Sequence, residues 1–170
     1  NTYNINDTSE KIAASTNAVI TLGQTVTANT NATTTEATTI SNFTKAVVYN
    51  IEGSASNIAA LGAQARNEAV NIIVNGNANV AQAKTITDAT NSGSNTFNVF
   101  DTAAAIAAGI TADSTSLLEA GARTVDGNAN VAQAIILSGL SKAVVYNLSD
   151  NATTIANASQ AVRDEAVNIV

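Results

Sequence analysis

The sequence predicts an α/β fold built as a solenoid, in which strand–helix units of about 23 residues repeat and their strands line up in a parallel sheet. Three observations predict it. Whole phrases recur: GNANVAQA at Gly76–Ala83 and Gly127–Ala134, KAVVYN at Lys45 and Lys142, and EAVNI at Glu68 and Glu165. Short alternating runs return at steady intervals, since Ile5, Ala28, Ile51, Val74, Val99, Val125 and Leu148 are separated by 23, 23, 23, 25, 26 and 23 residues. Behind each run the apolar spacing changes from two to that of a helix. Alternate units resemble each other best, so a superperiod near 48 residues overlies the basic one and leaves open a coil with two strands and two helices per turn.

The strands are TYNIN (2–6), TVTAN (25–29), VVYNIE (47–52), VNIIVN (70–75), TFNVFD (96–101), RTVDG (123–127), VVYNLSD (144–150) and AVNIV (166–170). Alternation places Val47, Tyr49 and Ile51 on one face, as it does Val70, Ile72 and Val74, and Val144, Tyr146 and Leu148. Arg123 stands where Ile72 stands in its own unit, a poor residue for a core position.

Helical spacing follows in DTSEKIAA, SASNIAALGAQA, NANVAQAKTI, DTAAAIAAGI, NANVAQAIIL and DNATTIANASQAV. Asp7, Asp101 and Asp150 fall where an N-cap is needed, and Asp7 with Glu10 has capping-box spacing. Gly76 and Gly127 are expected to turn the chain out of a strand, with Asn77 and Asn128 as caps. Ile12 and Val19; Val80, Ala83 and Ile86; and Val131, Ala134 and Ile135 supply the buried stripes. The alternative is an all-β parallel helix, because Asn75-Gly76 and Asp126-Gly127 are also hairpin signals. Alanine-rich continuation into VAQA favours the helix.

Composition bounds the function. The 170 residues are 45% hydrophobic but only 4% aromatic, so the core is made of Ala, Val, Ile and Leu in thin units that need neighbours. A net charge of −6 with seven dispersed Lys and Arg provides no basic stripe, which argues against nucleic acid as a partner. No run is long and apolar enough for membrane insertion. With no Cys and no His, disulfides, thiolate metal sites and the commonest general base are excluded, and no nucleophile, base and orienting group stand together. The chain therefore reads as no enzyme, with no cofactor and no metal. The calcium nonapeptide is absent, and each turn offers one carboxylate where six or more oxygens are wanted.

Two sets of residues remain as candidate sites. Asn4, Asn50, Asn98 and Asn147 recur on the strand face opposite the core set, as a side-chain amide ladder between coils or a row that reads a glycan. Tyr3 and Ile5 at one end, and Val167 and Ile169 at the other, are strand edges expected to stack on neighbouring repeats or on copies of the chain. Thr25 and Thr27 do not recur as an ice-binding face would require, and the Asn-x-Ser/Thr triplets are common by composition. Arg66 with Glu68, and Arg163 with Asp164 and Glu165, lie in matching segments that read as solvated turns.

At DTAAAIAAGI, DTSEKIAA and VVYNLSDNATTIA the chain resembles the tandem "strand, Asp-Thr-Ala, Ile-Ala-Ala" repeats of large bacterial secreted and cell-surface proteins, adhesin-like or surface-layer-like and often exported by type I secretion. The resemblance covers essentially all of the 170 residues and implies an extracellular structural module. Together these readings make residues 1–170 a single repeat array, a fragment of a longer repetitive protein that serves as spacer or self-assembling scaffold. A glycan- or surface-binding adhesin module using the Asn and Thr rows is the alternative.

Overall fold

The computed structural model describes residues 3–170, which form an α/β fold whose strands pair in parallel. Thr2, the first residue of the predicted TYNIN strand, lies outside the described residues. The chain divides into two compact units, residues 3–76 with 88–96 and residues 77–87 with 97–170.

The first unit runs β1 (Tyr3–Asp7), α1 (Ser9–Ala13), α2 (Asn17–Leu22), β2 (Gly23–Ala28), α3 (Thr34–Ile40), β3 (Ile51–Ser54), α4 (Ala55–Ala60), α5 (Ala63–Glu68) and β4 (Ile72–Ala78), whose last two residues pass into the second unit. β1 lies along β2 with Ile5 opposite Val26, and β3 lies along β4 from Ile51 opposite Ile72 to Ser54 opposite Asn75. The predicted strand at 47–52 alternates as expected, with Val47, Tyr49 and Ile51 buried and Val48 51% exposed. It is nevertheless a strand only from Ile51. Along the run the backbone bonds alternate between two neighbours: Val48, Asn50 and Glu52 bond to residues 26–32, and Tyr49 and Ile51 bond to Val70 and Asn71.

The second unit continues with α6 (Val80–Thr87), β5 (Asn95–Thr102, whose first two residues belong to the first unit), α7 (Ala103–Ala112), α8 (Thr115–Glu119), β6 (Arg123–Ala129), α9 (Val131–Ser138), β7 (Val145–Leu148), α10 (Ala152–Asn157) and α11 (Gln160–Glu165). β5 pairs with β6 from Val99 opposite Arg123, and β6 pairs with β7. Helix α7 packs on α9, and α6 on α8.

One helix per strand was the expectation; the crossovers instead alternate between two helices and one. α1/α2, α4/α5, α7/α8 and α10/α11 are pairs, and α3, α6 and α9 are single. This is the physical basis of the superperiod. The strands themselves pair with their next neighbours in sequence within each unit, so the two-fold alternation lies in the crossovers and not in the strand order.

Helices this short do not hold by propensity, and they depend on caps and on their buried side. Ile12, Ile20, Ile40, Ile58, Ile86, Ile106, Leu117 and Leu137 are all buried to 2% exposure or less. Two predicted stripe residues are corrected. Val19 is 47% exposed and Ile20 is buried in its place, because Ser15 and Thr16 separate α1 from α2 and reset the phase. Ile135 is 55% exposed, and Leu137 fills the core beside Val131 and Ala134.

The caps are shifted by one residue from the aspartates. Thr8, Thr102 and Asn151 are the N-caps, each accepting from the amide three residues on: Lys11, Ala105 and Thr154. Asp7, Asp101 and Asp150 precede them and accept the cap residue's own N–H, at 2.8 Å in each case. In the octapeptides the caps are Asn79 and Asn130, each in a reciprocal box with the Gln three residues later. Asn77 and Asn128 lie within β4 and β6 instead. Gly76 and Gly127 are also inside those strands, at φ +84° and +81°, a left-handed backbone that glycine adopts without a Cβ penalty. On β6 the five residues Thr124 to Asn128 span the three from Val145 to Asn147, so Gly127 sits in a bulge and the chain does not turn there.

Candidate functional site

Several polar side chains bond between segments 19 to 24 residues apart in sequence. Asn50 accepts from the Asn71 backbone N–H at 3.2 Å and its side-chain amide at 2.9 Å, and donates to Asn31 Oδ1 at 3.3 Å. Asn71 in turn accepts from the Ser94 N–H at 2.9 Å and its hydroxyl at 3.3 Å. Asn31 and Asn75 both donate to Glu52, at 2.8 and 3.2 Å, and these bonds hold its carboxyl below the ordinary range, Asn31 more than Asn75.

In the second unit Asn98 accepts from the Ala122 N–H at 2.9 Å, and Asn147 accepts from the Asn168 amide at 3.0 Å. Asn4 lies exposed in β1. Of the four candidate asparagines, then, three bond to a segment 21–24 residues further on, and none bonds to another of the four. Asn31, Asn71 and Asn168 completed the row without having been singled out. The signal was present in EAVNI, whose two copies carry Asn71 and Asn168.

The aspartates make a second kind of tie. Besides holding its own cap residue, Asp101 accepts from the Val80 N–H at 3.0 Å, and Asp150 accepts from the Val131 N–H at 3.2 Å. Each therefore serves the first amide of the preceding single helix, α6 or α9, where a carboxylate also favours the helix dipole.

All three arginines of the sequence close helix C-termini. Arg66 Nη1 donates to Ile58, Ala59 and Leu61 carbonyls, and Arg163 Nη1 to those of Ile155, Ala156 and Ala158, which answers the orphan carbonyls of α4 and α10. These replace the solvated turns the sequence suggested. Arg123, 7% exposed, donates to Leu117 and Ala120 at 2.8 and 2.6 Å and to Ala143 at 3.0 Å. A charged residue fits this strand position because three carbonyls await it, and burial lowers its pKa. The buried tyrosines repeat the theme: Tyr49 donates to the Ala65 carbonyl at 2.8 Å, and Tyr146 to the Val162 carbonyl at 3.0 Å. Burial pushes both phenols upward, and Glu68 and Glu165 add to it.

The predicted edge residues lie as follows: Tyr3 is 45% exposed, Ile5 half-buried, Val167 62% and Ile169 51% exposed. Val48, Phe100 and Val145 also face outward. A shallow groove of about 570 Å³ runs between α6 and α7/α8, lined by Val80, Ala81, Ala105, Ala108 and Gly109, with the exposed Lys84–Asp113 pair at 3.8 Å on its rim. Thr115 holds the Asp113 carboxyl low through its hydroxyl and N–H. The corresponding groove of about 520 Å³ beside α9 has Val131, Ile135, Thr154, Asn157 and Ala158. Among the described residues, no three His, Cys, Asp or Glu side chains gather as a metal site would need, and no helix is long and apolar enough to cross a membrane.

Compared with protein-family models, curated proteins and solved structures, the chain matches none.

Proposed function

We propose that the chain is a structural repeat module, an α/β solenoid of units about 23 residues long, serving as spacer or self-assembling scaffold of a bacterial extracellular or surface protein. Its partners are neighbouring repeats or copies of itself. One observation carries this reading. The residues AVNI occur at Ala69–Ile72 and again at Ala166–Ile169. On one side the two copies bond alike: Val70 and Val167 donate to the Tyr49 and Tyr146 carbonyls, and Asn71 and Asn168 to Asn50 and Asn147. On its other side the first copy is covered by segment 91–95, through Gly93 N–H to Val70 O at 2.8 Å and Ile72 N–H to Ser94 O at 3.1 Å. Ile72 is consequently fully buried, whereas Ile169 is 51% exposed.

The edge at Val70–Ile72 is thus satisfied by a later segment of the same chain, as neighbouring units of a repeat array would satisfy one another. The asparagine row supports scaffolding over glycan reading, because Asn50 and Asn71 spend both ends of their amides on neighbours. The bacterial surface location rests on the resemblance of the DTAAAIAAGI-type repeats. Light scattering across a concentration series, with and without Ca²⁺, tests the reading: association with rising concentration is expected, and a strict monomer in both conditions removes self-assembly by this chain.

A further inference from the structure

We propose that Asn75 is a site of spontaneous covalent modification, at which the folded chain deamidates to aspartate and isoaspartate. Asn75-Gly76 is the single Asn-Gly step in the sequence. The chemistry needs no partner beyond water. The Gly76 backbone nitrogen attacks Asn75 Cγ, a C–N bond forms, the Cγ–Nδ2 bond breaks, and ammonia leaves with a five-membered imide behind it. Water then opens the ring at either carbonyl, so one water is consumed, one ammonia is released, and a carboxylate replaces the amide.

Three features of the fold place the reaction here. Both residues are exposed in β4, so water reaches them. Gly76 has φ +84° and no Cβ, and nothing lies within 4 Å of where one would stand, so no side chain on Gly76 hinders the attack of its nitrogen. The third is the twin site: Gly127 has the same left-handed backbone at φ +81°, β6 has the same burial pattern as β4, and the residue before Gly127 is already Asp126. The aspartate product therefore has a place in this backbone, and the reaction rewrites NGNANVAQA as the DGNANVAQA of the second copy.

The two products differ in consequence. Either one deletes the Asn75 amide that donates to Glu52 at 3.2 Å and sets a second carboxylate beside it, leaving Asn31 as the donor to Glu52. Isoaspartate in addition lengthens the main chain by one carbon where Ser54 faces Asn75, which loosens the end of the β3–β4 ladder.

The test is to age the folded chain at mildly alkaline pH in water carrying heavy oxygen and to map its peptides by mass spectrometry. The Asn75 peptide is expected to take up label before any other asparagine peptide and to split into two chromatographic forms, and Asn75→Gln is expected to remove that signal. N75D measured in parallel should keep the fold by circular dichroism. An Asn75 peptide that keeps its amide mass, or that converts after Asn91 or another asparagine, overturns the proposal.

Discussion

Ala69–Ile72 and Ala166–Ile169 have the same four residues and the same neighbours on one side, yet Ile72 is fully buried and Ile169 is half in solvent. Tyr49 with Arg66 and Tyr146 with Arg163 make the opposite comparison. Those pairs, also 97 residues apart, have matching surroundings and matching bonds to carbonyls. The difference separates two roles of repetition. Contacts made among the repeated residues are reproduced wherever the sequence is reproduced, while the cover over Ile72 comes from segment 91–95, which is not part of the repeated phrase.

The largest expected difference is between Ile72→Ala and Ile169→Ala. The first opens a cavity in the core and should cost about 2–5 kcal/mol. The second removes a partly solvated side chain and should cost under about 1 kcal/mol. Urea unfolding of both variants measures this directly, and equal losses would break the comparison.

Arg123→Ala comes next, because three carbonyls lose a buried donor at once, with a cost of about 1–3 kcal/mol. Arg66→Ala and Arg163→Ala should cost less than Arg123→Ala and about the same as each other, since both guanidinium groups are half-buried in matching positions.

Tyr49→Phe and Tyr146→Phe should each cost about 0.5–1.5 kcal/mol. Their pH dependence sharpens the point. Both phenols have folded pKa values above the unfolded value of about 10, so their stabilising contribution is complete below that pH and is lost as pH rises above it. Each Phe variant should flatten the fall in stability on the alkaline side, Tyr49→Phe by more, as its phenol is pushed up further. Alkaline denaturation followed by circular dichroism reads the slope.

The smallest effect is expected where the two grooves differ. Lys84→Ile makes the α6 position match Ile135 of α9, and it removes an ion pair whose side chains are about half exposed. The change in stability should be within about 1 kcal/mol.

Much of this fold was legible in the letters. Period-two runs located β1 to β7, but the expected strand at 166–170 forms only a bridge from Ile169 to Leu148; the buried faces at Tyr49, Ile72 and Tyr146 followed from alternation alone. The paired helices were not legible, because SASNIAALGAQA reads as one continuous stripe and nothing but Gly62 and the short Leu61 step divides it. The caps were misplaced by one because Asp, Thr and Asn are all good caps, and strand length decides which stands at the first turn. Arg123 was opaque for a deeper reason: its partners are backbone carbonyls of Leu117, Ala120 and Ala143, and carbonyls have no letter. The asparagine row was visible in kind but not in pairing, since Asn50 meets Asn71 and not Asn98.

The role of the covering segment can be measured at Val167–Ile169. Residues 166–170 repeat 69–73 apart from Val170 in place of Ile73, so the sequence of residues 74–102 can be appended behind Val170 to supply the next turn. Amide hydrogen exchange at Ile169 is the measurement. In the extended chain this amide should slow to the level of Ile72, whose N–H is held by Ser94, while Val167, already bonded to the Tyr146 carbonyl, should change far less. An Ile169 amide that exchanges as fast as in the original chain would contradict the claim that residues 74–102 cover a copy of AVNI wherever they follow it.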